Sequence, residues 1–132
     1  MRVQNWQTQF VQILQNPNYK QWQRGKFDCA LFVADCCKAI SGKDPAEEYR
    51  RTYDSELGAK KALLKFGSYA DALSRHFEEI KPSEAQRGDA VTFDFNGALS
   101  IGVLWAGKVV TLTEDQGLVL INAKAERAWR VE

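Results

Sequence analysis

Histidine and cysteine are scarce in this sequence. It contains a single histidine, His76, and three cysteines that stand close together at positions 29, 36 and 37. One histidine excludes every mechanism that needs two imidazoles. Three clustered cysteines do not fit the disulfide framework of a small secreted domain, which needs an even and spaced set.

Long apolar runs are also lacking. The longest one in the early chain, Ala30–Ala34, is far shorter than the roughly 20 residues that span a bilayer. The first ten residues, MRVQNWQTQF, contain neither the apolar core nor the small-residue cleavage site of a signal peptide. We therefore expect a chain that is made in a cytosol and is not inserted into a membrane.

A charge excess of one sign is absent as well. The 18 Lys and Arg residues nearly balance the 17 Asp and Glu residues, for a formal net charge of +1. This balance argues against a dedicated nucleic-acid binder, which carries a basic excess. With 132 residues, of which 45% are hydrophobic and 27% charged, the chain predicts one globular domain over residues 1–132, with residues 1–20 as an additional N-terminal helix.

The pattern of apolar residues changes along the chain from helical to strand-like. Helices are predicted at residues 3–15, 28–40, 55–66 and 68–77, with a short one opening at Asp44-Pro45. Strands are predicted at residues 90–95, 99–105, 108–113, 118–121 and 128–131, separated by short turns. N-terminal helices followed by an antiparallel β-sheet indicate an α+β domain.

Cys29 stands at the predicted start of the second helix, directly after the capping residue Asp28. Unpaired N–H groups and the helix dipole favour an anion there, so we expect a lowered thiol pKa, although the Asp28 charge opposes this effect. Cys29 also shares one apolar helical stripe with Cys36 and Ile40, which is typical of a packing role. Spacing alone leaves both interpretations open.

The same helix argues against cross-linking of the cysteines. Residues 29 and 36 would lie about 10.5 Å apart along the helix axis, whereas a disulfide needs Cα atoms within about 7 Å. A single zinc ion, with Zn–S bonds of about 2.3 Å, could not bind both thiolates either. We therefore expect no disulfide, no metal and no cofactor.

Three segments of the chain resemble the NlpC/P60 cysteine peptidases. The segment 25–33, GKFDCALFV, resembles the family's nucleophile segment, in which Asp-Cys opens a helix. The segment 86–93, QRGDAVTF, resembles the family's Gly-Asp-led first strand. The segment 99–103, LSIGV, is similar to the next strand, where the family has a histidine, an apolar residue and a glycine.

Two further segments are similar to a small phage-encoded branch of that family. They are SGKDPA at residues 41–46 and AWRV at residues 128–131. The resemblance extends from about Trp22 to Val131 and implies a papain-like NlpC/P60 fold. Proteins of this branch are found among the tail genes of long-tailed phages and related particles.

The resemblance places the candidate catalytic residues. Cys29 matches the nucleophile, while the family's histidine position falls on Ser100, or on Leu99 if the alignment shifts by one residue. The third, orienting position falls near Thr111 or Thr113. Because neither a serine nor a leucine is a general base near neutral pH, the catalytic pair is predicted to be incomplete.

Three aromatic side chains that lie outside these motifs bear on function. His76 lies in a charged helical stretch, and we expect that it does not approach the Cys29 thiol. Trp6 and Trp22 flank the glutamine-rich start and are the candidate interface residues, because aromatic anchors are enriched at interfaces.

The sequence therefore predicts a structural component of a long-tailed phage tail tip or tail-assembly complex, built on a catalytically degenerate domain. Its expected partners are other phage tail proteins, and its expected location is the virion after synthesis in the bacterial host cytoplasm. The alternative is an active cysteine peptidase or amidase that cleaves peptidoglycan peptides with Cys29 as nucleophile. A third possibility is a host protein of prophage origin that binds such peptides without cutting them.

Overall fold

A computed structural model describes residues 1–132, with side chains for residues 1–19 and 21–132. The α-helices are α1 (Trp6–Leu14), α2 (Cys29–Ser41), α3 (Glu56–Phe66) and α4 (Tyr69–His76). The strands are β1 (Glu78–Ile80), β2 (Ala90–Phe95), β3 (Ala98–Trp105), β4 (Lys108–Thr113), β5 (Gly117–Ile121) and β6 (Arg127–Arg130). Two short 3-10 helices lie at Pro17–Lys20 and Pro82–Glu84. The predicted α+β class, with helices before strands, is confirmed.

Side-chain caps define where the later helices begin. The Ser55 hydroxyl accepts the backbone N–H of Gly58 at 3.0 Å before α3. Ser68 and Asp71 form a reciprocal capping box before α4. At the end of α2, Gly42 adopts the left-handed conformation with φ of 80°. Among the described residues, no helix is long and apolar enough to cross a membrane.

The six strands form one antiparallel sheet in the order β1-β6-β2-β3-β4-β5. In the pairing of β2 with β3, Thr92 lies opposite Ile101 and Phe93 lies opposite Ser100. Directly opposed residues of an antiparallel pair project from the same face, and successive residues alternate between faces. The register therefore assigns every strand residue to one of two faces.

The helices cover one of these faces, here called the inner face. Its buried strand residues pack with buried side chains of α1, α2 and α4 in the main core. The strand residues in this core are Ala90, Ile101, Val103, Val110, Leu112 and Trp129. The α2 residues in it are Phe32, Val33, Cys36, Cys37 and Ile40. Cys36 and Cys37 thus pack as small apolar side chains.

The opposite face, here called the outer face, has its own apolar cluster. Val91, Phe93, Val109 and Ala128 are fully buried there. Partly buried residues from the chain segments beside the sheet pack against this cluster, namely Ile80, Ala85, Ile121, Ala123 and Ala125. Both faces of the sheet are therefore apolar in the middle, which explains why several strands lack a strict apolar–polar alternation.

The N-terminal segment belongs to the same core. The Phe10 ring of α1 lies 4.6 Å from the Trp105 ring, and the backbone N–H of Val3 donates to the Ile40 carbonyl at 2.7 Å. The Arg2 guanidinium reaches the fully buried Asp89 carboxylate at 2.9 Å. The additional N-terminal helix therefore caps the domain rather than extending away from it.

Two details of the predicted secondary structure are wrong. The helix predicted to open at Asp44-Pro45 is a series of turns. Asp44 does accept the N–H of Ala46 at 2.9 Å, but it also binds Arg50, which reaches across to Asp35 on α2 at 2.6 Å. The segment is therefore held by these ion pairs instead of by helical turns.

The second wrong detail is a missed strand. Residues Glu78–Ile80 form β1, which pairs only with β6 at the edge of the sheet. A strand of three residues with two glutamates has no apolar alternation to reveal it. Its pairing is a tertiary contact across 48 residues, joined by the Arg127–Glu79 ion pair at 2.6 Å.

Candidate functional site

Asp28 fixes the start of α2 and thereby the position of Cys29. The carboxylate of Asp28 accepts the backbone N–H of Leu31 at 2.9 Å, which satisfies one of the free donors of the first helical turn. Cys29 is then the first residue of the helix, as the sequence predicts. This places the thiol where the backbone field favours an anion.

The second oxygen of the Asp28 carboxylate organises the surroundings. It accepts the backbone N–H of Gly25 at 3.1 Å and the hydroxyl hydrogen of Tyr53. Asp28 is 5% exposed, so these bonds lie in an environment from which water is largely excluded. One buried carboxylate thus joins the start of α2, the preceding loop and the loop before α3.

The Cys29 thiol is half-buried, and its pKa is raised to about 11. Burial is the largest cause, and the neighbouring Asp28 charge adds to it. The helix-start amides and Arg24 act in the opposite direction but do not compensate. The lowered pKa expected from the helix position is therefore wrong, because desolvation and a like charge outweigh the dipole.

Tyr69, the first residue of α4, is a titratable neighbour of this thiol. The pKa of Tyr69 is raised to about 12, chiefly by burial and also by the charges of Cys29 and Asp28. A phenol with this pKa holds its proton at neutral pH and does not act as a general base. Sequence reasoning missed Tyr69, whose proximity to Cys29 arises only when α4 packs beside α2.

The structure places Ser100 on the outer face of the sheet. Its partner across the ladder is Phe93, which is fully buried in the outer-face cluster, whereas α2 packs against the inner face. The Ser100 hydroxyl lies 3.5 Å from the Ala98 carbonyl. Ser100 therefore projects away from the helix that carries Cys29.

Leu99, the alternative at the histidine position, lies on the inner face opposite Asp94 and is 70% exposed. A leucine has no group that transfers a proton.

Thr92, also on the inner face, is buried, and its hydroxyl has no hydrogen-bond partner among the described groups. Sequence reasoning did not single out Thr92, whose only signal is its alternation with Val91 and Phe93 in β2.

The two threonines at the third position bind the backbone. The buried Thr111 hydroxyl donates to the Ile101 carbonyl at 2.8 Å. The Thr113 hydroxyl donates to the Gly117 carbonyl at 3.0 Å and accepts the N–H of Gln116 at 3.1 Å. Thr111 and Thr113 alternate with the inner-face residue Leu112, so both project from the outer face. The structure does not bring them together with Cys29.

His76 ends α4, seven residues after Tyr69. Seven residues correspond to about 10.5 Å along a helix axis. The His76 imidazole therefore lies at the opposite end of α4 from Tyr69, the residue that neighbours the Cys29 thiol. Its Nδ1 donates to the Ala72 carbonyl at 3.0 Å. Among the described side chains, no hydrogen bond joins His76 to Cys29.

The candidate interface tryptophans both contact their own domain. The Trp6 ring meets the Trp105 ring edge-on with centroids 6.2 Å apart, and the Arg2 guanidinium stacks over it at 4.5 Å. The Arg24 guanidinium stacks over Trp22 at 4.7 Å. Both tryptophans are half-buried, so much of each ring is used in intramolecular packing.

The described part of the chain contains no cluster of side chains that could bind a metal ion. No group of three or more His, Cys, Asp or Glu side chains among the described residues lies together in a way that would hold a metal ion. All three cysteines carry free thiols. What the site holds is one poorly acidic thiol beside a buried carboxylate and a phenol.

Comparison with known proteins gives one finding. Residues 1–131 match the family described as a domain of unknown function (DUF6950). No curated protein matches the chain.

Proposed function

The chain belongs to this family, whose description names no activity, and we propose that it is a catalytically degenerate papain-like domain of NlpC/P60 type that serves as a structural component of a long-tailed phage tail tip or tail-assembly complex. The observation that carries the degenerate character is the Cys29 thiol. Its pKa is raised to about 11, both oxygens of the neighbouring Asp28 are engaged in hydrogen bonds within the fold, and the Tyr69 phenol retains its proton at neutral pH.

The arrangement of elements supports the papain-like part of the proposal. A cysteine opens a helix, and this helix packs against one face of an antiparallel sheet that follows it in sequence. This is the arrangement that the NlpC/P60 resemblance implies. A fold can keep its core while its chemistry is lost, because core and site depend on different residues.

The surface of α3 supports a docking role. Among the described residues of this helix none is buried, and Leu57 and Leu64 are 64% and 89% exposed. They stand seven residues apart and so share one side of the helix. Apolar side chains grouped in this way on a small domain are typical of a protein–protein contact.

Complementation tests the proposal. The gene would be deleted from the phage or prophage that carries it and restored as wild type, Cys29→Ala or the double variant L57S/L64S. A third variant, L99S/L120S, is the matched control because it changes two exposed leucines outside α3. Particle titre and the presence of the protein in purified particles are the readouts.

We expect wild type, Cys29→Ala and the control to restore the titre and to be found in purified particles. We expect L57S/L64S to fold normally and to lower both. A folded Cys29→Ala protein that fails to restore the titre, or a wild-type protein absent from the particles, contradicts the proposal.

The position of Cys29 at the start of α2, where it is not fully buried, favours the alternative of an active peptidase on peptidoglycan peptides. Digestion of purified peptidoglycan by wild type and by Cys29→Ala separates the two functions. We expect neither protein to release peptides above background. Release that depends on Cys29 would replace the structural proposal with the enzymatic one.

A further inference from the structure

An open groove lies beside the start of α2, between two loops. One wall is a tight hairpin in which Gln23 and Phe27 exchange backbone hydrogen bonds of 2.9 and 2.7 Å. The other wall is the segment 51–54 before α3. The groove encloses about 620 Å³, within the range of about 300–1,000 Å³ that is usual for binding sites.

The two walls are held firmly against each other. The Asp28 carboxylate binds the hairpin through the Gly25 N–H and the opposite loop through the Tyr53 hydroxyl. Gly25, at φ of 84°, approaches the Tyr53 carbonyl so closely that no side chain fits between them. The groove is therefore preformed, which lowers the entropy lost when a ligand binds.

Both walls supply cations that have no carboxylate partner. Among the described side chains, no Asp or Glu oxygen lies within 4.0 Å of the charged groups of Arg24, Lys26 or Arg51, whereas the neighbouring Arg50 binds two carboxylates. Arg24 and Lys26 lie at the hairpin tip, and Arg51 lies opposite. Three unpaired cations that line one concave surface attract an anion.

The groove also has features that suit a peptide chain. It continues into a second concavity of about 380 Å³ that adds the apolar side chains of Phe27 and Leu31. Asp54 contributes a carboxylate to the lining, which repels closely spaced phosphates but accepts peptide N–H groups. The chain, with a net charge of +1, also lacks the basic excess of a nucleic-acid binder, which favours a peptide over a nucleic acid as the ligand.

We propose that this groove binds an acidic segment of a partner protein, with its carboxylates paired to Arg24, Lys26 and Arg51. Tyr53 and Phe27 contact the apolar parts of the segment, and Asp54 accepts one of its backbone N–H groups. This inference deepens the proposed function and rests on it, because the proposed function supplies the premise that the partner is a protein. It adds a second docking surface, distinct in chemistry from the leucines of α3.

Fluorescence anisotropy tests the groove. The probe is a fluorescein-labelled octapeptide of alternating Glu and Gly with an amidated end, and the same peptide with Gln in place of Glu is the uncharged control. The groove variant is R24Q/K26Q/R51Q. The matched protein control, K81Q/K108Q/K124Q, removes the same charge from exposed positions elsewhere.

We expect the Glu peptide to bind the wild type and the control variant with similar Kd, and the groove variant to bind about tenfold more weakly. The Gln peptide should bind weakly to all three proteins. Equal loss in both variants, or no binding to the wild type, overturns the proposal. So does tighter binding of a labelled thymidine octanucleotide than of the Glu peptide. Since the assay uses no phage, its failure is separate from a failure of complementation.

Discussion

The α-carbon of Gly25 lies so close to the carbonyl oxygen of Tyr53 that an added β-carbon would stand 2.0 Å from that oxygen. The contact joins two loops that are separated by 28 residues and that both bind Asp28. It fixes the hairpin before α2 against the loop before α3. The position of Cys29 and the shape of the basic groove both depend on this contact.

Gly25→Ala is expected to destabilise the domain by about 3 kcal/mol, because the methyl group meets backbone atoms and the residue has a positive φ. The matched control is Gly97→Ala, which has a similar φ of 85° but nothing within 4 Å of the added carbon. It should cost only about 1 kcal/mol. Urea unfolding measures both, and equal losses would contradict the close contact.

Asp89→Asn is expected to cost about 3–5 kcal/mol of stability, since it leaves the positive charges of Arg2 and Arg130 without their carboxylate. Asp89 is fully buried and also accepts the N–H of Val131 at 3.1 Å. Glu79→Gln is the control, because its ion pair with Arg127 is exposed and an exposed pair contributes little to stability. Chemical denaturation that shows equal losses for the two variants would refute the central role of Asp89.

Alkylation of Cys29 by iodoacetamide is expected to be slow at pH 8 and to accelerate until the pH nears 11. The reason is that only the thiolate reacts, and the pKa of Cys29 is raised to about 11. At pH 8 the thiolate fraction is roughly two hundredfold below that of an ordinary thiol. Intact-mass spectrometry gives the rate, and the same chain in urea is the control. A folded-state rate that levels off below pH 9 would contradict the raised pKa.

Stability is expected to fall between about pH 8.5 and 10. Burial raises the pKa of Cys29, of Cys36 and of Cys37 above the ordinary value, so the folded state retains protons that the unfolded chain has released. The contribution of these protonated thiols to stability is complete at a pH below the thiol pKa of the unfolded chain. It is lost as the pH rises from there towards the higher pKa of the folded state. Each thiol adds a slope of up to about 1.4 kcal/mol per pH unit.

Urea titrations at several pH values measure this slope. The Cys37→Ala variant is the control, because it removes one of the three thiols whose pKa is raised and should reduce the slope by about a third. A stability that is constant from pH 8 to 10, or an unchanged slope in the variant, would contradict this account.

The local features of the fold could be predicted well. Apolar periodicity located all four α-helices and five of the six strands, because side-chain spacing on a helix or strand follows from backbone geometry alone. The cap at Asp28 and the helix start at Cys29 are local as well, since a capping carboxylate binds N–H groups within three residues. The turns at Asp44-Pro45 escaped prediction because Arg50 joins that segment to Asp35 on α2, which is distant in sequence.

The candidate site shows the same contrast between local features, which could be predicted, and tertiary features, which could not. Residue order alone shows that a cysteine follows a helix-capping aspartate, that the chain has one histidine, and that Ser100 stands two residues before the strand glycine at 102. Tertiary structure decided that Ser100 shares the face of Phe93 rather than the face of α2. It also decided that burial and the Asp28 charge outweigh the helix dipole at the Cys29 thiol. Strand register and desolvation depend on contacts between distant segments, and a local pattern of residues does not encode them.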